Sequence, residues 1–141
     1  MRVVDANVLL YAINVDAPLH MPAREWLDDA LNDREPVGFA WIVLLAFVRL
    51  STRSGLFPRP LDVQTAVGVV ETWLTAAPSV VLHPTPRHLT VLHGLLAGLG
   101  TAGNLVNDAH LAALALEHGA EVVSFDRDFS RFPGLRWRSP G

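Results

Sequence analysis

The chain has no cysteine and no lysine among its 141 residues. The first absence excludes a disulfide framework, a thiolate metal site and a cysteine nucleophile. The second excludes any lysine-based mechanism and leaves arginine as the basic side chain throughout. Charged residues make up only 18% of the chain and sum to −3 at neutral pH. That balance argues against a general nucleic-acid coat, while leaving room for a local basic patch. No apolar run reaches the roughly 18 residues of a membrane-spanning helix. The N-terminus enters a strand without a basic-then-apolar leader, so a cytoplasmic location is expected. There is no G-x-S-x-G elbow for serine hydrolysis, and no histidine pair has H-x-x-x-H spacing.

Half of the residues are hydrophobic, enough for one globular domain over residues 1–141 with a real core. Strand and helix signals alternate along it. Strands are expected at Arg2–Val4, Pro36–Ala40, Val80–His83, Glu121–Phe125 and Leu135–Trp137. Helices are expected at Asn7–Ile13, Pro18–Leu31, Trp41–Thr52, Asp62–Ala76, Pro86–Leu99 and Asn107–His118. Asp62 suits an N-cap, Gly119 a helix stop, and the Trp41–Thr52 helix reads as buried on most sides. Such alternation predicts an α/β fold, with a central, mostly parallel sheet flanked by helices on both faces. Right-handed crossovers then carry the strand C-terminal ends to one edge.

Aspartates stand where that edge should lie. Asp5 follows the first strand, Asp126 and Asp128 follow the fourth, and Asp108 opens the helix leading into the fourth. Each has an ordinary structural alternative. Asp5 and Asp108 could cap helices, and Asp126 and Asp128 could serve a turn. Converging, they suit a hard divalent cation, Mg²⁺ with Mn²⁺ as a substitute, and hence phosphodiester hydrolysis.

Three segments carry a family resemblance: Val4-Asp5-Ala6-Asn7-Val8-Leu9-Leu10, Asn107-Asp108-Ala109-His110-Leu111 and Val123-Ser124-Phe125-Asp126-Arg127-Asp128-Phe129. In this order and spacing they resemble the motifs of PIN-domain nucleases. The ending Phe132-Pro133-Gly134-Leu135-Arg136-Trp137 is similar to that of VapC toxins of bacterial toxin–antitoxin pairs. The resemblance implies a Mg²⁺-dependent endoribonuclease acting on structured RNA such as tRNA or rRNA. It also implies inhibition by a VapB-type antitoxin, and a homodimer is expected. By position, Asp5 and Asp108 become the principal metal ligands and Asp126 a third, with Asp128 supporting catalysis. Asn7 and Ser124 are candidates to orient ligands.

The chain departs from the family pattern at Ala46, where a glutamate is usual on the third helix. Two outcomes are open. The remaining aspartates work with extra water, or metal affinity and activity fall and leave an RNA- or protein-binding module. A small phosphatase is a rival enzyme. A phospho-receiver also uses strand-end aspartates but needs a lysine.

Other signals are weaker. Gly98-Leu99-Gly100-Thr101-Ala102-Gly103 matches a dinucleotide fingerprint, but a helix and not a strand precedes it. His110 lies two residues beyond Asp108, on another side of the helix. Arg49, Arg53 and Arg59 form one basic cluster. Arg127, Arg131, Arg136 and Arg138, with Phe129, Phe132 and Trp137, form a second that is a candidate for RNA contact.

Overall fold

Short β-branched and aromatic runs become the strands of one five-stranded sheet. They are β1 (Arg2–Val4), β2 (Val37–Ala40), β3 (Ser79–Leu82), β4 (Glu121–Val123) and β5 (Trp137–Arg138). The order is β3-β2-β1-β4-β5, and every neighbouring pair is parallel. The computed structural model describes residues 1–100 and 102–141. Thr101, inside the loop and fingerprint noted above, lies outside the described residues. The helices are α1 (Ala6–Ile13), α2 (His20–Leu31), α3 (Trp41–Ser51), α4 (Val63–Thr75), α5 (His88–Ala97) and α6 (Leu105–Glu117). A 3-10 turn spans Arg127–Arg131.

Consecutive strand residues point to opposite faces of a sheet. Val3 and Val4 are both fully buried, as are Val122 and Val123. Both faces are therefore covered, as a parallel sheet requires. The core extends into α3, where Phe47 meets Trp73 edge-on at 4.7 Å. Gly38 permits close strand packing: a Cβ there would come within 2.7 Å of Leu82 Cδ1. Gly119, at φ +64°, ends α6 where the sequence places its stop. Among the described residues no helix is long and apolar enough to cross a membrane.

Element ends shift by one or two residues, with β5 at Trp137–Arg138 and not Leu135–Trp137, and three further details change. First, α6 begins at Leu105, so Asn107 and Asp108 lie within its first turn and do not open it. Second, β4 stops at Val123, because the Phe125 N–H donates to Asn7 Oδ1 at 3.1 Å and not to a strand partner. Third, α3 is less enclosed than its composition suggests. Val43, Leu44 and Phe47 are buried, but Trp41 and Leu45 are 48% and 62% exposed.

Candidate functional site

In the sheet, Val4 lies opposite Val123. The residues that follow, Asp5 and Ser124, therefore leave the sheet side by side. β1 is also where strand order reverses, with β2 and β3 on one side and β4 and β5 on the other. The crevice outside the strand ends at such a reversal is where open α/β sheets bind ligands.

Asp5 is held tightly. It caps α1, with Oδ1 accepting from the Ala6 N–H at 2.7 Å. Its Oδ2 accepts from Ser124 Oγ at 2.7 Å and Asn7 Nδ2 at 3.2 Å. The Ser124 hydroxyl is fully buried. It accepts in turn from Asn7 Nδ2 and from the Asp126 N–H, both at 3.0 Å. Burial pushes the Asp5 carboxyl above its ordinary range, Ser124 and Ala6 oppose that shift, and the Asp126 charge adds to it.

Asp108, Asp126 and Asp128 each offer a carboxylate oxygen, and the three oxygens lie within 4.8 Å of one another. Asp126 is fixed by accepting from the Asp128 N–H at 2.9 Å. Asp108 is pushed up to about 7, first by burial and then by the charges of Asp5, Asp126 and Asp128. The positive end of α6 would favour its charged form, so burial and repulsion outweigh the helix.

All four expected aspartates thus gather at one edge, but the tightest three include Asp128 in place of Asp5. Asp5 instead shares a cavity of about 150 Å³ with Asp108, Ile42, Ala46, Asn107 and Leu111. That volume suits a few waters or a partly hydrated ion. Oxygens bound to one hard ion at about 2.0–2.6 Å lie at most about 4–5 Å apart, so the cluster fits such a cation. Ala46 stands on the cavity wall, so the missing glutamate bears on this site directly. Asn107, given no role by the sequence, lines the same wall. Its only signal is its place beside Asp108.

The four C-terminal arginines are all exposed but differ in their partners. Arg136 Nη2 donates to the Gly119 carbonyl at 3.1 Å. Arg138 Nε pairs with Glu121 Oε1 at 2.6 Å. Both serve the entry into β4. Phe129 and Phe132 are core residues. Arg127 and Arg131 are exposed, and neither has an ion-pair partner among the described residues.

His110 joins a separate chain of polar contacts. Its Nδ1 lies 2.8 Å from His88 Nε2, and His88 Nδ1 contacts Glu117 Oε2. Glu117 also accepts from the Thr85 N–H at 3.0 Å and from the Thr85 hydroxyl. Burial pushes Glu117 up, but the Thr85 and His88 hydrogen bonds prevail and hold it below the usual range. Burial and then His88 lower His110. No motif spacing signals this long-range arrangement.

A PIN-domain family profile matches residues 2–135. The chain is 56% identical over 140 residues to Ribonuclease VapC37 of Mycobacterium tuberculosis, covering 99% of this chain and 97% of that protein. It is 38% identical over 140 residues to Ribonuclease VapC33 of the same species, covering 99% and 98%. Among solved structures, VapBC2 from Rickettsia felis bound to a promoter DNA fragment contains a chain of similar fold. The TM-score is 0.72 at 17% identity, covering 98% of this chain and 97% of that one.

Proposed function

The chain belongs to the PIN-domain family, in its VapC branch, and on that premise we propose that it is a divalent-metal-dependent endoribonuclease, the toxin of a toxin–antitoxin pair. The carrying observation is the three carboxylate oxygens within 4.8 Å at the reversal of strand order. Asp108, Asp126 and Asp128 would hold Mg²⁺ or Mn²⁺, with Asp5 beside Asp108 in the shared cavity. A bound ion would supply Lewis-acid stabilisation of the charge that develops on a phosphodiester.

The chain's own residues prepare that task. Ser124 and Asn7 fix the Asp5 carboxylate. Asp108 and its neighbours concentrate negative charge that a cation would relieve. The proposed substrate is structured RNA, in keeping with the family, and the proposed partner is a VapB-type antitoxin. Trp41 and Leu45, four residues apart on α3 and exposed, flank the cavity residues Ile42 and Ala46. They offer an apolar strip to an amphipathic partner helix.

Ala46 supports a second reading, an RNA-binding module with weak or no cleavage. One assay separates the readings. The purified chain is incubated with folded RNA and, separately, with a chromogenic phosphomonoester, with Mg²⁺ or Mn²⁺ and with chelator. Metal-dependent RNA cleavage that Asp108→Asn abolishes is expected, with no action on the monoester. RNA binding without cleavage would favour the second reading, and monoester hydrolysis a phosphatase.

A further inference from the structure

Beside the acidic edge is a larger, open recess of about 420 Å³, lined by Phe125, Arg127, Ser130, Trp137 and Ser139. It shares no lining residue with the acidic cavity, yet the two are built on the same framework. Phe125 directly precedes Asp126, and Arg127 stands between Asp126 and Asp128. Ser124 joins the two sites. Its hydroxyl donates to Asp5, and its carbonyl accepts from Trp137 Nε1 at 3.0 Å.

The lining has a definite chemistry. Phe125 and Trp137 are half-buried. Tyr11 supports Phe125 at a ring separation of 5.6 Å, and the Ser124 carbonyl fixes the Trp137 indole. The recess therefore offers pre-positioned aromatic surface. Arg127 is exposed beside it and lacks an ion-pair partner among the described residues. The Ser130 hydroxyl donates to the Arg127 carbonyl at 2.7 Å and keeps its oxygen as an acceptor. Aromatic faces, a guanidinium and hydroxyls are the groups with which proteins stack and hydrogen-bond unstacked RNA bases. Lining decides which part of a nucleotide fits. The acidic cavity presents carboxylates and aliphatic side chains but no aromatic face, whereas the recess is aromatic and, at about 420 Å³, lies in the range of small-molecule sites.

We infer that this recess holds one unstacked nucleobase of an RNA strand whose phosphodiester lies at the acidic edge. The inference rests on the ribonuclease reading for the identity of the strand. It is tested by binding without divalent metal, so that cleavage does not enter. The probes are hexaadenylate, hexauridylate and an abasic ribose-phosphate hexamer of equal charge, so repulsion from the aspartates cancels between them. The two base-bearing hexamers should bind about ten-fold more tightly than the abasic one. They should also shift the Trp137 indole N–H resonance. Arg127→Ala, and separately Ser139→Trp, which fills the recess from its rim, should erase the difference while circular dichroism stays native. Equal affinity for all three hexamers, no measurable binding of any, or a difference that survives both variants would overturn the inference. Cleavage of RNA with Mg²⁺ is scored separately. Base-dependent binding without cleavage supports the recess and sinks the nuclease reading. Cleavage without base-dependent binding does the reverse.

Discussion

Burial and three neighbouring carboxylates raise Asp108 from 3.8 to about 7. Between those values the folded chain binds more protons than the unfolded one. Stability therefore falls as pH rises through that window, and the whole penalty is present above about 7. The shift alone would correspond to roughly 4 kcal/mol. Asp108 is only half-buried, and solvent screening reduces this to about 1–2 kcal/mol. Without metal, Asp108→Asn should stabilise the fold by about that amount at pH 8 and much less near pH 4. Urea unfolding at the two pH values checks this, and an equal gain at both would remove repulsion as the cause. Ala46 poses the complementary question. Ala46→Glu would add a carboxylate to the cavity that Asp5 and Asp108 line, so Mn²⁺ should bind more tightly. The metal-free protein should lose about 1–2 kcal/mol from the added desolvation and like charge. Calorimetric titration of both proteins checks it. Unchanged affinity with lower stability would mean that residue 46 only packs.

The elements themselves were largely legible, and their ends were not. Val3-Val4 and Val122-Val123 are apolar on both faces, which is the mark of a buried parallel strand. The capping by Asp62 (Thr65 N–H to Oδ1, 2.7 Å) and the stop at Gly119 were likewise readable from local chemistry. The end of β4 was not, because it depends on Asn7, 118 residues away from Phe125. Arg136 and Arg138 read as a basic surface because Gly119 and Glu121 are distant in sequence and close only across the β4–β5 pairing. The Thr85–Glu117–His88–His110 chain is hidden for the same reason, since it forms only where α5 packs on α6. The site followed this rule. The aspartates could be placed at element ends, but not the closeness of Asp128 or the recess beside it. Ser124 joins the end of β4 to the start of α1, so its removal tests that junction. Ser124→Ala leaves the Asp126 N–H without its partner and takes a donor from Asp5. A loss of about 1–3 kcal/mol is expected, with Asp5 driven further up. Chemical denaturation and carboxylate NMR titration measure the two effects. Wild-type values in both would mean that water replaces the hydroxyl without cost.

For the whole molecule, a net charge of −3 and an acidic edge oppose the approach of any polyanion, so an RNA-binding chain of this kind depends on where its arginines stand. The fold divides the C-terminal arginines by role. Arg138 is committed to Glu121 and Arg136 to the Gly119 carbonyl, whereas Arg127 and Arg131 sit exposed on the turn between the acidic edge and β5. Of these four, Arg127 and Arg131 have no side-chain ion-pair partner among the described residues and none of the fixed contacts given for Arg136 and Arg138, so they are placed to contact phosphate or base. Replacing Arg127 and Arg131 together with alanine should weaken RNA binding and flatten its salt dependence. Each lost phosphate contact removes about 0.7 from the slope of log affinity against log salt for a single strand, so a change of about 0.7–1.4 is expected. Arg138→Ala should leave that slope unchanged. Its pair with Glu121 is mostly exposed on the arginine side, so its loss should cost at most about 1 kcal/mol of stability. Fluorescence anisotropy across a salt series, with each variant's melting curve, gives both readings. A slope that responds to Arg138 and not to Arg127 and Arg131 would mean that RNA approaches along β5 and not over the turn.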